Sequence, residues 1–201
     1  MFMHDFLLTF TQGILQTSFT EWLAFATSLI YVWLASRQNN WCWLFALVSS
    51  SLYVYLCYQA QLYADTLLQL FYVLVAALGW IKWNKKEEKL KIQHWSIKKN
   101  VFFILICSLS AIVLGILLDR FTNQAFPYID AAIFCFSLFA SYLITVKVLE
   151  NWIYFIVIDL CAIPLFANRE LYLTSILYLA YTIIAIEGFR KWNQSFKEQL
   201  K

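Results

Sequence analysis

Gly188-Phe189-Arg190-Lys191-Trp192-Asn193 closes the last apolar run of the chain, and Gly79-Trp80-Ile81-Lys82-Trp83-Asn84 closes an earlier run in nearly the same residues. The two lie 109 residues apart. The same shift lays Trp43 on Trp152, Leu62-Tyr63 on Leu171-Tyr172 and Tyr72 on Tyr181; upstream, Ser28-Leu29 meets Ser137-Leu138 and Glu21 meets Asp130. No gap is needed between residues 21 and 84. Chance supplies leucine matches in an apolar chain, but not readily Trp, Gly, Lys and Asn together at one offset. The chain is therefore read as an internal repeat.

Composition says what the repeat is made of. Of 201 residues, 62% are hydrophobic and only 13% charged, with a mean hydropathy of +0.66, far from the balance of a soluble domain. Seven runs are long enough to cross a hydrocarbon core about 30 Å thick, near residues 20–36, 41–58, 62–83, 100–118, 128–146, 151–168 and 171–189. They are continuously apolar where barrel strands would alternate, which argues for helices. The expected fold is an all-α integral membrane bundle. Three spans fall in each repeat (residues 20–84 and 128–193), and the span at 100–118 joins them. An odd linker restores the side on which a repeat begins, so the repeats are parallel and the architecture is three, one, three.

Orientation follows from Lys and Arg. With the N-terminus outside, all but Arg120 and Arg169 of the 15 basic residues fall on inner loops and the inner tail, as the positive-inside rule requires. The expected orientation is N-terminus out and C-terminus in the cytoplasm. The net charge of +3 thus reflects topology and implies no nucleic acid. The Lys-rich segment 85–99 is read as a solvated inner loop, with anionic headgroups as the alternative. Residues 3–19 are read as an interfacial helix, and 194–201 as a cytoplasmic tail. Five scattered Cys (Cys42, Cys57, Cys107, Cys135, Cys161) form no CxxC and read as small packing residues. His4 and His94 lie too far apart in sequence to suggest a metal site, and no cofactor is implied.

Within the sixth run, Glu150-Asn151-Trp152-Ile153-Tyr154-Phe155-Ile156-Val157-Ile158-Asp159 puts a carboxylate deep in apolar sequence. Trp152, Phe155 and Asp159 share a helix face. An ionised Asp near a bilayer centre costs roughly 2.5–3.5 kcal/mol on insertion scales, so it persists where something polar or cationic meets it. Asp65, Gln69 and Tyr72 form a polar stripe on the third span, matched by Thr174, Tyr178 and Tyr181 on the seventh. Gln69 and Asp159 fall at similar depth, so the two can meet. Ser50 is the repeat counterpart of Asp159 and reads as packing or ligand contact. Trp43 and Trp152 lie near the inner interface, where Trp is a common anchor, although Trp152 also faces the Asp159 side. Pro164 is expected to kink the sixth span, and Glu21 and Asp130 to cap helices or draw a cation to the entrance. The substrate-binding set is thus Trp152, Phe155, Asp159, Gln69, Tyr72, Tyr178, Tyr181 and Ser50.

The segments spanning residues 47–72 and 149–182, with Gly79-Trp80-Ile81-Lys82-Trp83 and Gly188-Phe189-Arg190-Lys191-Trp192 ending the repeats, resemble the PnuC family of bacterial vitamin transporters. The resemblance covers residues 20–193. It implies a SWEET-like seven-span bundle taking up nicotinamide riboside by facilitated diffusion, with trapping by cytoplasmic phosphorylation. The nicotinamide riboside branch carries Trp-x-x-Trp-x-x-x-Asn in the sixth span: Trp152 matches the first Trp, while Phe155 replaces the second and Asp159 the Asn. Gln69 is similar to the family's third-span glutamine. A related branch, PnuT, is associated with thiamine, whose thiazolium is cationic like the nicotinamide of the riboside. The expected partners are a small cationic aromatic vitamin and membrane lipid, with a homo-oligomer left open. A non-transporting membrane partner subunit is the alternative. An intramembrane enzyme is disfavoured, because HExxH, GxSxG and paired intramembrane Asp residues are lacking.

Overall fold

The computed structural model describes residues 18–59, 63–85, 90–122, 125–169 and 171–201. The expected interfacial helix at 3–19 lies almost wholly outside them. Seven helices are described: α1 (Phe19–Ser36), α2 (Cys42–Gln59), α3 (Tyr63–Trp83), α4 (Ile97–Phe121), α5 (Pro127–Thr145), α6 (Asn151–Asn168) and α7 (Tyr172–Gln199). Six are long and apolar enough to cross a membrane. The exception is α1, whose 18 residues include Glu21, two Thr and two Ser, which dilute its apolar run.

The helix ends follow from local chemistry. Ser18 opens α1 as a capping box: its hydroxyl accepts from the Glu21 N–H at 3.2 Å, and the Glu21 carboxylate accepts from the Ser18 N–H at 2.6 Å. The capping role expected of Glu21 is thus its actual contact. Its repeat counterpart Asp130 differs, pairing with Arg169 from the end of α6. Ser96 caps α4, and Pro127 occupies the first turn of α5, where its missing N–H costs nothing. Pro164 lies inside α6, which runs on to Asn168.

Within the segment expected to be a cytoplasmic tail, residues 194–199 continue α7, which reaches 28 residues. Its last turns are held by the i,i+4 pairs Glu187–Lys191 and Gln194–Glu198, and by Gln38, whose side-chain N–H donates to the Ser195 hydroxyl at 3.2 Å.

Neighbouring helices pack as α1–α2–α3 and as α5–α6–α7, while α1 meets α7 and α3 meets α5 across the two sets. Under the 109-residue shift these last two contacts are counterparts. α4 packs mainly on α5, through the stripe Phe103, Cys107, Ala111 and Gly115, reaches Tyr154 of α6 with Asn100 and Phe103, and presents Phe102, Leu105, Leu109, Ile112 and Val113 outward, as a lipid-facing helix should.

The buried core gathers where α1, α3 and α5 end and α2, α4 and α6 begin, around Ala35, Cys42, Trp43, Trp83, Ile144, Trp152 and Trp192. This end carries nearly all the basic residues and is called the basic end below. Part of the loop expected to be solvated is docked here. Ile92 is buried; the Gln93 N–H donates to the Lys147 carbonyl at 2.9 Å, and the Leu149 N–H to the Gln93 carbonyl at 2.8 Å. The Glu150 carboxylate accepts from the Trp95 N–H at 3.1 Å and pairs with His94. The docking answers to Ile92, an apolar residue in a polar stretch, and to the buried Glu150, which needs donors.

Candidate functional site

Asp159 lies on α6 with only 3% of its surface exposed. No Lys, Arg or His pairs with it among the described residues, and none of those residues form a cluster able to hold a metal ion. Its surroundings are hydroxyls: Tyr181 of α7 lies within electrostatic range of Asp159, of Tyr178 and of Tyr53 from α2. Ser28 of α1 joins them. Its hydroxyl donates to the Phe25 carbonyl at 2.7 Å and lies within hydrogen-bonding reach of the hydroxyls of Tyr53 and Tyr181. Tyr178 stacks on Phe166 with ring centroids 5.2 Å apart and planes 10° from parallel. Four helices thus place one carboxylate, several phenols and an aromatic face together, with no cation among the described residues paired to the acid.

A second layer, of tryptophans, lies toward the basic end. Trp43 and Trp152 are each 1% exposed, which corrects their reading as interfacial anchors. The reason is a notch: a Cβ on Gly79 would stand 2.4 Å from the Trp43 ring, and one on Gly188 2.8 Å from the Trp152 ring, so each indole fills the space that a glycine on the next helix leaves open. Trp83 meets Trp43 edge-on at 5.2 Å, Trp192 meets Trp152 at 5.4 Å, and Trp83 and Trp192 meet each other at 6.0 Å. The Trp83 N–H donates to the Thr145 carbonyl and the Trp192 N–H to the Ala35 carbonyl, both at 3.1 Å. The indole N–H groups of Trp43 and Trp152 are buried without an acceptor. Beside this layer the Lys147 ammonium sits 4.5 Å over the Trp83 ring and donates to the Gln38 side-chain carbonyl at 3.3 Å. Burial there pushes Lys147 below the usual lysine range, with the neighbouring Cys42 opposing the shift.

The eight residues singled out from sequence therefore divide. Asp159, Tyr178 and Tyr181 come together. Trp152 belongs to the tryptophan layer, and Phe155 packs half-buried against it without forming a ring pair with Trp152, so the stacked sandwich is not preformed. Tyr72 lies within electrostatic range of Tyr31. Ser50 is buried and Gln69 half-buried, and no direct hydrogen bond joins Gln69 to Asp159. Ser28 and Tyr53 were missed; the constant-offset match of Ser28 with Ser137 was the one signal for the first, and nothing in the local sequence marks the second. The cysteines divide too, with Cys42 and Cys107 buried and Cys161 exposed on the outer face of α6. Two clefts open at the basic end, one of about 520 Å³ along Arg37, Gln38, Lys191, Gln194 and Ser195, the other of about 750 Å³ along Trp95, Asn100, Ile153, Tyr154 and Phe189. Neither is lined by Asp159.

Residues 18–194 match the family described as nicotinamide mononucleotide transporter. The chain belongs to this family. Several relatives carry the name PnuC: the nicotinamide riboside transporter PnuC of Escherichia coli is 27% identical over 210 residues, covering 90% of this chain and 88% of that protein. The riboflavin/roseoflavin transporter RibM of Streptomyces davaonensis is 24% identical, covering 82% and 79%. A crystal structure of the vitamin B3 transporter PnuC superposes with a TM-score of 0.74 at 21% identity, over 98% of this chain and 90% of that one, a likeness of fold. Membership in the PnuC family makes the chain a multi-pass membrane transporter rather than an enzyme, which fits a molecule whose buried polar groups lie between helices.

Proposed function

We propose that this PnuC-family chain carries a small cationic aromatic vitamin across the bacterial inner membrane by facilitated diffusion, nicotinamide riboside first, with phosphorylation by a separate cytoplasmic kinase trapping the product. The observation that carries the reading is Asp159, a buried carboxylate without a protein cation among the described residues and within electrostatic range of Tyr181. A pyridinium or thiazolium ring would supply the missing charge, while Trp152, Phe155 and the Phe166–Tyr178 stack offer aromatic faces, each worth roughly 0.5–2 kcal/mol to a cation. Gln69, Tyr72 and Ser50 complete the pocket from the first repeat. Thiamine is the second reading, favoured by Phe155 and Asp159 where the riboside branch has Trp and Asn.

The architecture proposed for this work is two parallel three-helix repeats joined by α4 in a SWEET-like bundle, with the basic end in the cytoplasm. Its support is that Trp83 touches Trp192 and Gln38 touches Lys147. Each is its partner's counterpart under the repeat, and counterparts in contact lie on the axis relating the two halves. Along α6, Asp159 is seven residues beyond Trp152, so the ligand site lies about 10 Å deeper than the tryptophan layer. Uptake of labelled nicotinamide riboside and thiamine, in cells lacking their own carriers for both, tests the reading. Accumulation of one with a coexpressed kinase is expected; transport of neither by well-expressed protein would refute it.

A further inference from the structure

We propose that the tryptophan layer is the gate on the basic side of the ligand site: Trp83 and Trp192 close the pathway on the repeat axis, and the Lys147–Gln38 contact holds them shut. The inference deepens the transport reading above and rests on it for the direction of ligand movement.

Three observations carry it. First, contact between repeat counterparts occurs here twice, in Trp83–Trp192 and in Gln38–Lys147. A pathway between two such halves runs along their axis, so residues that meet on it block it. Second, the closure is built from exchanged ties. Trp83, ending the first repeat, donates to the end of α5 in the second, and Trp192, ending the second, donates to the end of α1 in the first. Separating the halves at this end breaks both bonds together, which gives the closure an all-or-none character. Gln38 and Lys147 are also the non-glycine residues with positive φ among the described residues, at 55° and 52°, the same left-handed turn used in both halves to bring their side chains to one point.

Third, the closed arrangement leaves something unpaid. The indole N–H groups of Trp43 and Trp152 are buried without acceptors, a cost that parting the layer and admitting water or ligand would remove. Trp192 covers Trp152 edge-on at 5.4 Å, so opening also bares the ring proposed to meet the ligand.

Cys42 reports on the gate without any vitamin. It is fully buried in the same cluster as Trp43 and Trp192. In a variant whose other cysteines are replaced by Ala, labelling by a membrane-impermeant maleimide is followed in inside-out and right-side-out vesicles. Two substitutions remove a tie while leaving Cys42 covered: Gln38→Ala frees Lys147, and Trp192→Phe keeps a ring but deletes the bond to Ala35. Each is expected to speed labelling in inside-out vesicles by about fivefold, the population shift that one lost hydrogen bond allows, with no change in right-side-out vesicles. Trp80→Phe, on the exposed face of α3, is the control and is expected to leave the rate as it was. Unchanged labelling in both variants, equal acceleration by Trp80→Phe, or acceleration from the opposite face would overturn the gate. Since no ligand enters the assay, these outcomes are independent of whether nicotinamide riboside or thiamine proves to be carried.

Discussion

Gly188→Ala is the sharpest single probe of the packing that fixes Trp152. The added methyl would lie 2.8 Å from the ring's Cδ2 and 2.9 Å from Cε2 and Cε3. Carbon–carbon contact is comfortable from about 3.5 Å, so ring or helix must give about 0.7 Å. Trp152 has no room to yield, being 1% exposed and held by Trp192 on its other side. Overpacking of this kind costs about 1–3 kcal/mol. Helix propensity alone would make alanine the better residue by about 0.8–1 kcal/mol, so net destabilisation is a result that only the contact can produce. Thermal unfolding of purified protein in detergent, followed by size-exclusion recovery, reads it. Gly79→Ala is expected to be worse, because there the clash is 2.4 Å and the shift required about 1.1 Å. Trp152→Phe, a narrower ring, should relieve Gly188→Ala, with a coupling of about 1 kcal/mol or more in the double-mutant cycle. Wild-type thermal stability in Gly188→Ala, or additivity of the two changes, would refute the notch.

Asp159→Asn keeps the shape and removes the charge; affinity for the transported cation, titrated by tryptophan fluorescence with nicotinamide riboside and thiamine in turn, is expected to fall by about 10- to 100-fold, the worth of a charge-assisted contact, and unchanged affinity would take Asp159 out of the site. Ser28→Ala leaves the Tyr53 and Tyr181 hydroxyls without their shared hydroxyl neighbour, so a loss of about 1–3 kcal/mol in stability is expected, whereas Ser137→Ala at the repeat counterpart should cost less. Glu150→Gln weakens the hold on Trp95 and His94, and trypsin cleavage at Lys91 should quicken several-fold while helix content stays constant; an unaltered digestion pattern would mean that the docked segment is held by Ile92 and the Gln93 backbone alone.

The frame was readable because membrane helices announce themselves by length and apolarity, and because a repeat leaves Trp, Gly, Lys and Asn in fixed register. Six of the seven expected spans are helices of spanning length and composition, and the Gly79 and Gly188 matches turn out to mark the two indole notches. The sequence misled where a contact depends on a partner far along the chain. Trp43 and Trp152 have the depth of interfacial anchors, and only the glycines one helix away make them core. The segment from Leu90 to Trp95 has the composition of a solvated loop, and its docking hangs on one isoleucine and on a glutamate 55 residues downstream of Trp95. Tyr53 was invisible for the same reason, since its partner Ser28 sits on another helix and a lone tyrosine in an apolar run has no local mark.

Duplication would also account for one chain holding both the proposed symmetric closure and the proposed asymmetric site. In the tryptophan layer the counterparts are identical, Trp43 and Trp152, Trp83 and Trp192, Gly79 and Gly188, while Gln38 and Lys147 beside it differ and bond to each other. A ring-on-ring contact on the axis is met by like surfaces from the two halves, and the hydrogen bond beside it by a donor and an acceptor. Deeper in the bundle the counterparts differ. Asp159 stands against Ser50, Tyr178 against Gln69, Tyr53 against Ala162. A vitamin with a cationic ring at one end and a polar group at the other has no two-fold axis, so a pocket with identical halves would satisfy only one of its ends. The charge is confined to one half, and a second carboxylate at Ser50 would add a like charge across the axis, where burial makes such pairs costly. On the proposed transport reading, the two halves differ where the ligand would break the symmetry and match where their rings would close on each other. That places Phe155 and Asp159, rather than any residue of the tryptophan layer, where a change of substrate is compatible with an unchanged mechanism.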